Sequence, residues 1–182
     1  MSELIPLYRK NGKVIAEDHL GKHYIMNENN LSAVMLARHG DSFVLIRQYR
    51  RAVDEYVIQL PGGGVEEREE LEDAARREFL EETGFRCGEV HYLGRLIPAS
   101  WISNEVTHVY YTEDIESQRE QRLEEYEKID VVLIPVNETL QQIRKSKLND
   151  SELTFAILQG ILQGFISEGE AYADGCCEGP TA

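Results

Sequence analysis

The stretch from Gly63 to Phe85, GGVEEREELEDAARREFLEETGF, constrains this chain more than any other. Within it Glu69, Arg77, Glu78, Glu81, Glu82 and Gly84 stand at fixed spacings, Gly-x5-Glu-x7-Arg-Glu-Phe-x-Glu-Glu-x-Gly-Phe. The periodicity predicts a helix over roughly Leu71 to Thr83, with Leu71, Ala74, Ala75 and Phe79 on its inner face and Gly84 as its C-terminal stop. A helix turns by about 100° per residue, so Glu78 and Glu82 lie about 40° apart and Glu81 about 60° to the other side of Glu78. The three carboxylates therefore share one face and repel one another. Hard divalent cations such as Mg²⁺, which prefer oxygen ligands, offset that repulsion. Pro61-Gly62-Gly63-Gly64 runs directly into this segment, and glycines there let the backbone come close to a metal or a phosphate. One Glu pair on a helix, or an Arg77–Glu81 pair, is an ordinary solvated face. The full spacing pattern is not.

The remaining composition narrows the possibilities. The chain has 182 residues, enough for one domain with a substantial core, and its apolar (42%) and charged (29%) fractions are those of a globular protein. A net charge of −14 argues against nucleic acid as a partner, because such surfaces need a basic stripe. It does not exclude an anionic substrate, since bound cations invert local charge. No apolar run reaches membrane-spanning length, and the N-terminus lacks the apolar core of a signal peptide, so we expect a cytoplasmic protein with no membrane partner. Cys87, Cys176 and Cys177 form neither a disulfide framework nor a Cys/His metal spacing.

Along the chain, Leu4–Tyr8 and Lys13–Ala16 flank the turn signal Asn11-Gly12, with a third strand at His23–Met26. Strands are expected at Ser32–Arg38, Ser42–Tyr49, Tyr56–Leu60, Glu89–Leu96, Val106–Tyr111 and Ile129–Pro135. The polar stretch Thr112–Leu123 reads as a loop. Thr139–Lys145 reads as a short helix, and Asp150 caps a longer one running to Phe165. Apolar residues cover more than one face of that last helix, which predicts packing on several sides. Three segments result: N-terminal strands over 1–30, a main domain over 31–168 and a disordered tail over 169–182. Strands interrupted by helices predict an α+β domain with a mixed sheet between helices.

The Gly63–Phe85 spacing resembles the Nudix box of hydrolases that cut nucleoside diphosphates linked to another group. The flanks Ile46-Arg47-Gln48-Tyr49-Arg50, Gln59-Leu60-Pro61-Gly62-Gly63 and Leu123–Val131 are similar to ADP-ribose pyrophosphatases and nucleoside diphosphate sugar hydrolases. The resemblance covers about residues 20 to 165. It implies the Nudix fold, an α/β/α sandwich with a loop-helix-loop motif, here with a small N-terminal β-sheet, and a homodimer in which that sheet takes part. Two positions depart from the pattern. Ser100 stands where ADP-ribose enzymes commonly carry proline, which favours a broader or different sugar nucleotide. Arg68 stands where glycine usually precedes Glu69.

The resemblance also implies roles. Glu78, Glu81 and Glu82, with the Gly62 carbonyl, hold Mg²⁺ (or Mn²⁺ in its place). Gly63, Glu69, Arg77 and Gly84 shape the motif. Glu82 and Glu125 are the catalytic residues, with Glu125 the expected base and Glu105 the alternative to it. Arg50 suits a phosphate, because guanidinium matches its oxygens in bidentate fashion. Tyr24 and Trp101 are candidates to stack on a base, and Glu127 and Glu105 to contact substrate. The expected activity is Mg²⁺-dependent hydrolysis of nucleoside diphosphate sugars, such as ADP-ribose or GDP-mannose, to a nucleoside monophosphate and a sugar phosphate. The alternatives are a strict ADP-ribose pyrophosphatase and a non-catalytic regulator that binds nucleotide sugars.

Overall fold

A computed structural model describes residues 3–123, 128–167 and 169. The chain opens with three antiparallel strands, β1 (Ile5–Lys10), β2 (Lys13–Glu17) and β3 (His23–Asn27), in the order β1-β2-β3. Asn11 (φ 49°) and Gly12 (φ 72°) both take left-handed conformations, as a two-residue hairpin turn of this hand requires. This small sheet leaves Ile5, Leu7, Tyr8, Ile15 and Ile25 exposed. It joins the rest through Ile25, whose N–H donates to the Ile102 carbonyl at 2.7 Å, and through Asn27, whose N–H donates to Asn104 Oδ1 at 2.8 Å.

The main sheet begins with β4 (Leu31–His39) and β5 (Ser42–Arg50), followed by β6 (Glu55–Gln59) and β7 (Gly62–Gly64). Helix α1 (Leu71–Thr83) comes next, then β8 (Phe85–Cys87), β9 (His91–Leu96), β10 (Val106–Thr112), β11 (Ile115–Gln118) and β12 (Ile129–Pro135). Helices α2 (Val136–Arg144) and α3 (Ser151–Leu162) complete the described elements. The strand order is β12-β5-β4-β10-β9, with β6 paired to β5 and β7 to β4. β10 runs parallel to β4 and the other pairings are antiparallel, so the sheet is mixed.

Side chains alternate across β4 and divide the core in two. Ala33, Met35 and Ala37 point to α1, where they meet Ala74, Ala75 and Phe79. Val34 and Leu36 point the other way, to Leu140 of α2 and to Leu153, Ala156 and Ile157 of α3. A sheet with α1 on one face and α2 and α3 on the other is the expected α/β/α sandwich.

β4 and β5 pair only near their turn, from Ala37 opposite Val44 to His39 opposite Ser42. Beyond that they diverge. β7 fills the gap along β4, and β6 continues β5. This split brings the glycine strand beside α1.

Three expectations need correction. Thr112–Leu123 is not all loop: Ile115–Gln118 forms β11, paired with β8, because its polar side chains face solvent while Ile115 packs under α1. The second helix starts at Val136, three residues early, since Val136 is buried in the core. The last helix ends at Leu162 rather than Phe165, with Gly164 left-handed (φ 82°) just beyond. Leu153, Ala156 and Ile157 are buried, Phe155 and Ile161 pack against the same core from its flanks, and Leu158 and Leu162 remain exposed. No helix among the described residues is long and apolar enough to cross a membrane.

Candidate active site

The register Ser32↔Gly64, Ala33↔Gly63, Val34↔Gly62 lays the glycine strand along β4. Gly62 has φ 152°, and a Cβ there would stand 2.6 Å from Val34 Cα and run into the Ala33 carbonyl. A Cβ on Gly63 would stand 2.7 Å from the Glu78 carboxylate. Gly62 thus requires glycine because backbone atoms face it, whereas at Gly63 an added methyl group would push against the Glu78 side chain. The Gly62 N–H donates to Glu82 Oε2 at 2.7 Å, and Glu82 is only 6% exposed.

Arg77 organises the other carboxylates. Its Nε and Nη2 donate to the two oxygens of Glu69 at 2.8 and 3.0 Å. Its Nη1 donates to Glu78 at 2.8 Å and Glu81 at 3.1 Å, and its Nη2 also reaches the Gly64 carbonyl at 3.0 Å. Glu69 in turn accepts the Glu66 N–H at 2.8 Å and so closes the loop ahead of α1. The Arg77 hydrogen bond holds the Glu69 carboxyl below the usual carboxylate range, and the carboxylates raise the guanidinium of Arg77. Arg68, within this loop, has φ 68°.

The far end of α1 is tied down as well. Gly84 is left-handed (φ 75°) and its N–H bonds the Leu80 carbonyl. The N–H groups of Arg119 and Arg122 donate to the carbonyls of Gly84 (2.7 Å) and Glu81 (2.8 Å).

Beside the glycine strand lies a cleft of about 310 Å³ at the end of the sheet where β4 and β10 begin. Asn27, Asn29 and Asn30 form one wall, and Arg50, Glu105 and Glu152 also line it. Arg50 Nε donates to Gln59, and Gln59 donates to Asp150 at 2.7 Å. Asp150 caps α3 by accepting the Leu153 N–H at 3.0 Å. Burial raises the Glu152 carboxyl above the ordinary carboxylate range, against the hydrogen bond from Thr107, and the charges of Asp150 and Glu105 add to the rise.

The NUDIX domain model matches residues 26–156, most of the chain and all of this geometry. The chain belongs to the Nudix family. Among relatives it is 26% identical over 137 residues to a methanol dehydrogenase activator of Bacillus methanolicus and 24% identical over 137 residues to an ADP-ribose pyrophosphatase of Bacillus subtilis. Each of these alignments covers 75% of this chain and 74% of the relative. It is 32% identical over 156 residues to a GDP-mannose pyrophosphatase of an Enterobacter strain, covering 80% and 78% of the two chains. A solved ADP compounds hydrolase superposes with a TM-score of 0.70 over 90% of this chain and 95% of its own, at 20% identity, which supports the shared fold.

Nudix hydrolases generally use divalent metals. Among the described residues no three His, Cys, Asp or Glu side chains converge as a ready cation site, because Arg77 and the Gly62 N–H hold the carboxylates instead. The donor set nevertheless fits a hard cation. Glu78, Glu81, Glu82 and the Gly62 carbonyl offer oxygen only; Glu78 and Glu82 face the glycine strand, and Glu81 is joined to Glu78 through Arg77.

The Nudix box thus gathers Gly62, Gly63, Glu69, Arg77, Glu78, Glu81, Glu82 and Gly84. The cleft gathers Arg50 and Glu105 beside it. Two substrate candidates stand apart from that cleft. The Tyr24 hydroxyl donates to Asp18 at 3.0 Å and its ring lies under the Lys22 ammonium, while Trp101 is 66% exposed and lines no part of it. Glu125 and Glu127 lie outside the described residues. Glu152 was not singled out from sequence. Two residues past the cap Asp150, it reads as an ordinary acid in a first helical turn.

Proposed function

We propose that this Nudix hydrolase cleaves the diphosphate of nucleoside diphosphate sugars in a Mg²⁺-dependent reaction, giving a nucleoside monophosphate and a sugar phosphate. The observation that carries this reading is the seating of the Glu78–Glu82 face against Gly62–Gly64 at the mouth of a polar cleft. Similarity to the ADP-ribose and GDP-mannose pyrophosphatase relatives supports it. Mg²⁺ held by Glu78, Glu81, Glu82 and the Gly62 carbonyl would neutralise the diphosphate and make water more acidic. Arg77 and Glu69 keep the box carboxylates in position. Arg50, which also lines the cleft, would offer a phosphate the part of its guanidinium not bonded to Gln59.

Water attacks one phosphorus, a new P–O bond forms, and the bridging oxygen leaves with the second phosphate. Glu125 takes the proton in this proposal. Three residues before it, the Arg122 N–H donates to the Glu81 carbonyl of the box helix at 2.8 Å. Glu105, in the cleft, is the alternative base. The proposal includes a homodimer joined through the strands of residues 1–30, whose exposed Ile5, Leu7, Tyr8 and Ile15 support an interface, with residues 31–168 as the hydrolase domain.

A strict ADP-ribose pyrophosphatase is the second reading, favoured by the Bacillus subtilis relative. A non-catalytic regulator fits less well, since every box carboxylate is present. Turnover of ADP-ribose, GDP-mannose, ADP-glucose and UDP-glucose with Mg²⁺ tests all three. Cleavage of several supports the broad enzyme, cleavage of ADP-ribose alone selects the strict one, and cleavage of none leaves the regulator.

A further inference from the structure

The cleft beside the glycine strand has a chemistry that the box does not explain. Its described lining includes no aromatic ring, so a nucleobase finds nothing there to stack on. It holds two carboxyl groups, Glu105 and Glu152, alongside two cations, Lys13 and Arg50, the latter suited to a phosphate. What remains is dense in neutral hydrogen-bonding groups: Asn27, Asn29, Asn30 and Ser32. Such a lining suits a polyol.

Glu152 is the organised part of that lining. Ser32 Oγ donates to Thr107 Oγ1 at 2.9 Å, and Thr107 Oγ1 donates to Glu152 Oε1 at 2.7 Å. In this relay Ser32 donates to Thr107 and Thr107 to Glu152, so Oε1 is an acceptor held in place from the sheet. A carboxyl has about four acceptor positions, and Thr107 fills one. Among the described residues no other hydrogen bond reaches it. Asn27 Oδ1, in the same cleft, is a buried acceptor without a described partner. The relay is anchored in the sheet, because Ser32 pairs with Gly64 and Thr107 with Ser32 across β4 and β10. The acceptor therefore stands at a fixed offset from the glycine strand, where the diphosphate would be cut.

We propose that Glu152, positioned by Thr107 and Ser32, is a specificity-determining residue that accepts hydrogen bonds from hydroxyls of the substrate's sugar, and that this cleft is the sugar subsite. The proposal rests on the nucleotide sugar reading above. It distinguishes the two ends of the substrate: the sugar lies toward α3, and the nucleoside lies elsewhere.

The test compares the wild type with Glu152→Ala, Glu152→Gln and Thr107→Val. Three measurements are made: kinetics on ADP-ribose, kinetics on an adenosine diphosphate ester of a plain alkyl alcohol, and calorimetric binding of ribose 5-phosphate beside inorganic phosphate. For Glu152→Ala the KM for ADP-ribose is expected to rise about tenfold or more, the worth of a hydrogen bond to a charged group, with kcat within about threefold. The alkyl ester should show no such rise. Ribose 5-phosphate should bind about tenfold more weakly and inorganic phosphate equally well. Glu152→Gln keeps one acceptor oxygen and should lose less. Thr107→Val should shift the same constants in the same direction. An unchanged KM for ADP-ribose, or an equal loss for the sugar and alkyl esters, overturns the proposal. If the wild type cleaves no nucleotide sugar, the functional reading fails. Binding of ribose 5-phosphate then decides this proposal separately, with equal affinity in wild type and Glu152→Ala counting against it.

Discussion

Glu82 Oε2 accepts the Gly62 N–H at 2.7 Å, tying the last turn of the box helix to a strand twenty residues earlier. The same carboxylate is one of the three that would carry a cation. Glu82→Gln keeps the acceptor oxygen facing Gly62 and removes the charge. Turnover should fall by about two orders of magnitude or more, while the circular dichroism spectrum and melting temperature stay near those of the parent. Near-normal turnover would remove Glu82 from the metal site.

The two glycines opposite the helix should fail differently. At Gly62 a methyl group meets backbone atoms of Ala33 and Val34, which cannot move aside, so Gly62→Ala should destabilise the fold by about 2–4 kcal/mol. At Gly63 the nearest atoms are those of the Glu78 carboxylate, the far end of a flexible side chain. Gly63→Ala should leave the urea midpoint almost unchanged and lower activity by displacing Glu78. Equal loss of stability in the two variants would refute this division.

Acid should weaken the loop before α1. The Arg77 hydrogen bond lowers the Glu69 carboxyl below its ordinary value of 4.5. A depressed carboxylate adds stability above its unfolded pKa and loses that contribution as the pH falls through its folded value. Urea midpoints measured from about pH 6 down to about pH 3 should drop in the parent, and drop less in Arg77→Ala, where Glu69 has no guanidinium to lose. Parallel curves for the two proteins would mean that the pair adds nothing to acid sensitivity.

Arg68 takes a left-handed backbone (φ 68°), a conformation that costs a residue with a Cβ about 1–2 kcal/mol. The extra chain entropy of glycine offsets part of any gain. Arg68→Gly is expected to raise stability by about 0.5–1 kcal/mol, read from the urea midpoint, with activity retained. A lower midpoint would show that the arginine side chain makes a compensating contact.

The box helix was legible to the residue, because its start, its inner face of Ala74, Ala75 and Phe79 and its stop at Gly84 are all local signals. Arg50 and Glu105 were singled out from their flanking patterns, and both line the cleft. Glu152 was not. Its place in the cleft depends on β10 lying parallel to β4, which sets Thr107 beside Ser32, and no local pattern encodes a pairing across that distance. β11 was missed for a related reason. Glu116, Ser117 and Gln118 are polar and exposed, and only the partner strand after α1 makes the segment extended.

The parallel seam between β4 and β10 also bears on how the enzyme comes to be active. Ser32 and Thr107 are 75 residues apart in sequence, and closing so long a loop costs entropy before any contact across it is gained. The helix of glutamates can form from neighbouring residues, but the cleft has no wall until that seam closes. During refolding, helical signal should return first, and the ability to select a substrate should arrive only with the slow closure of the sheet.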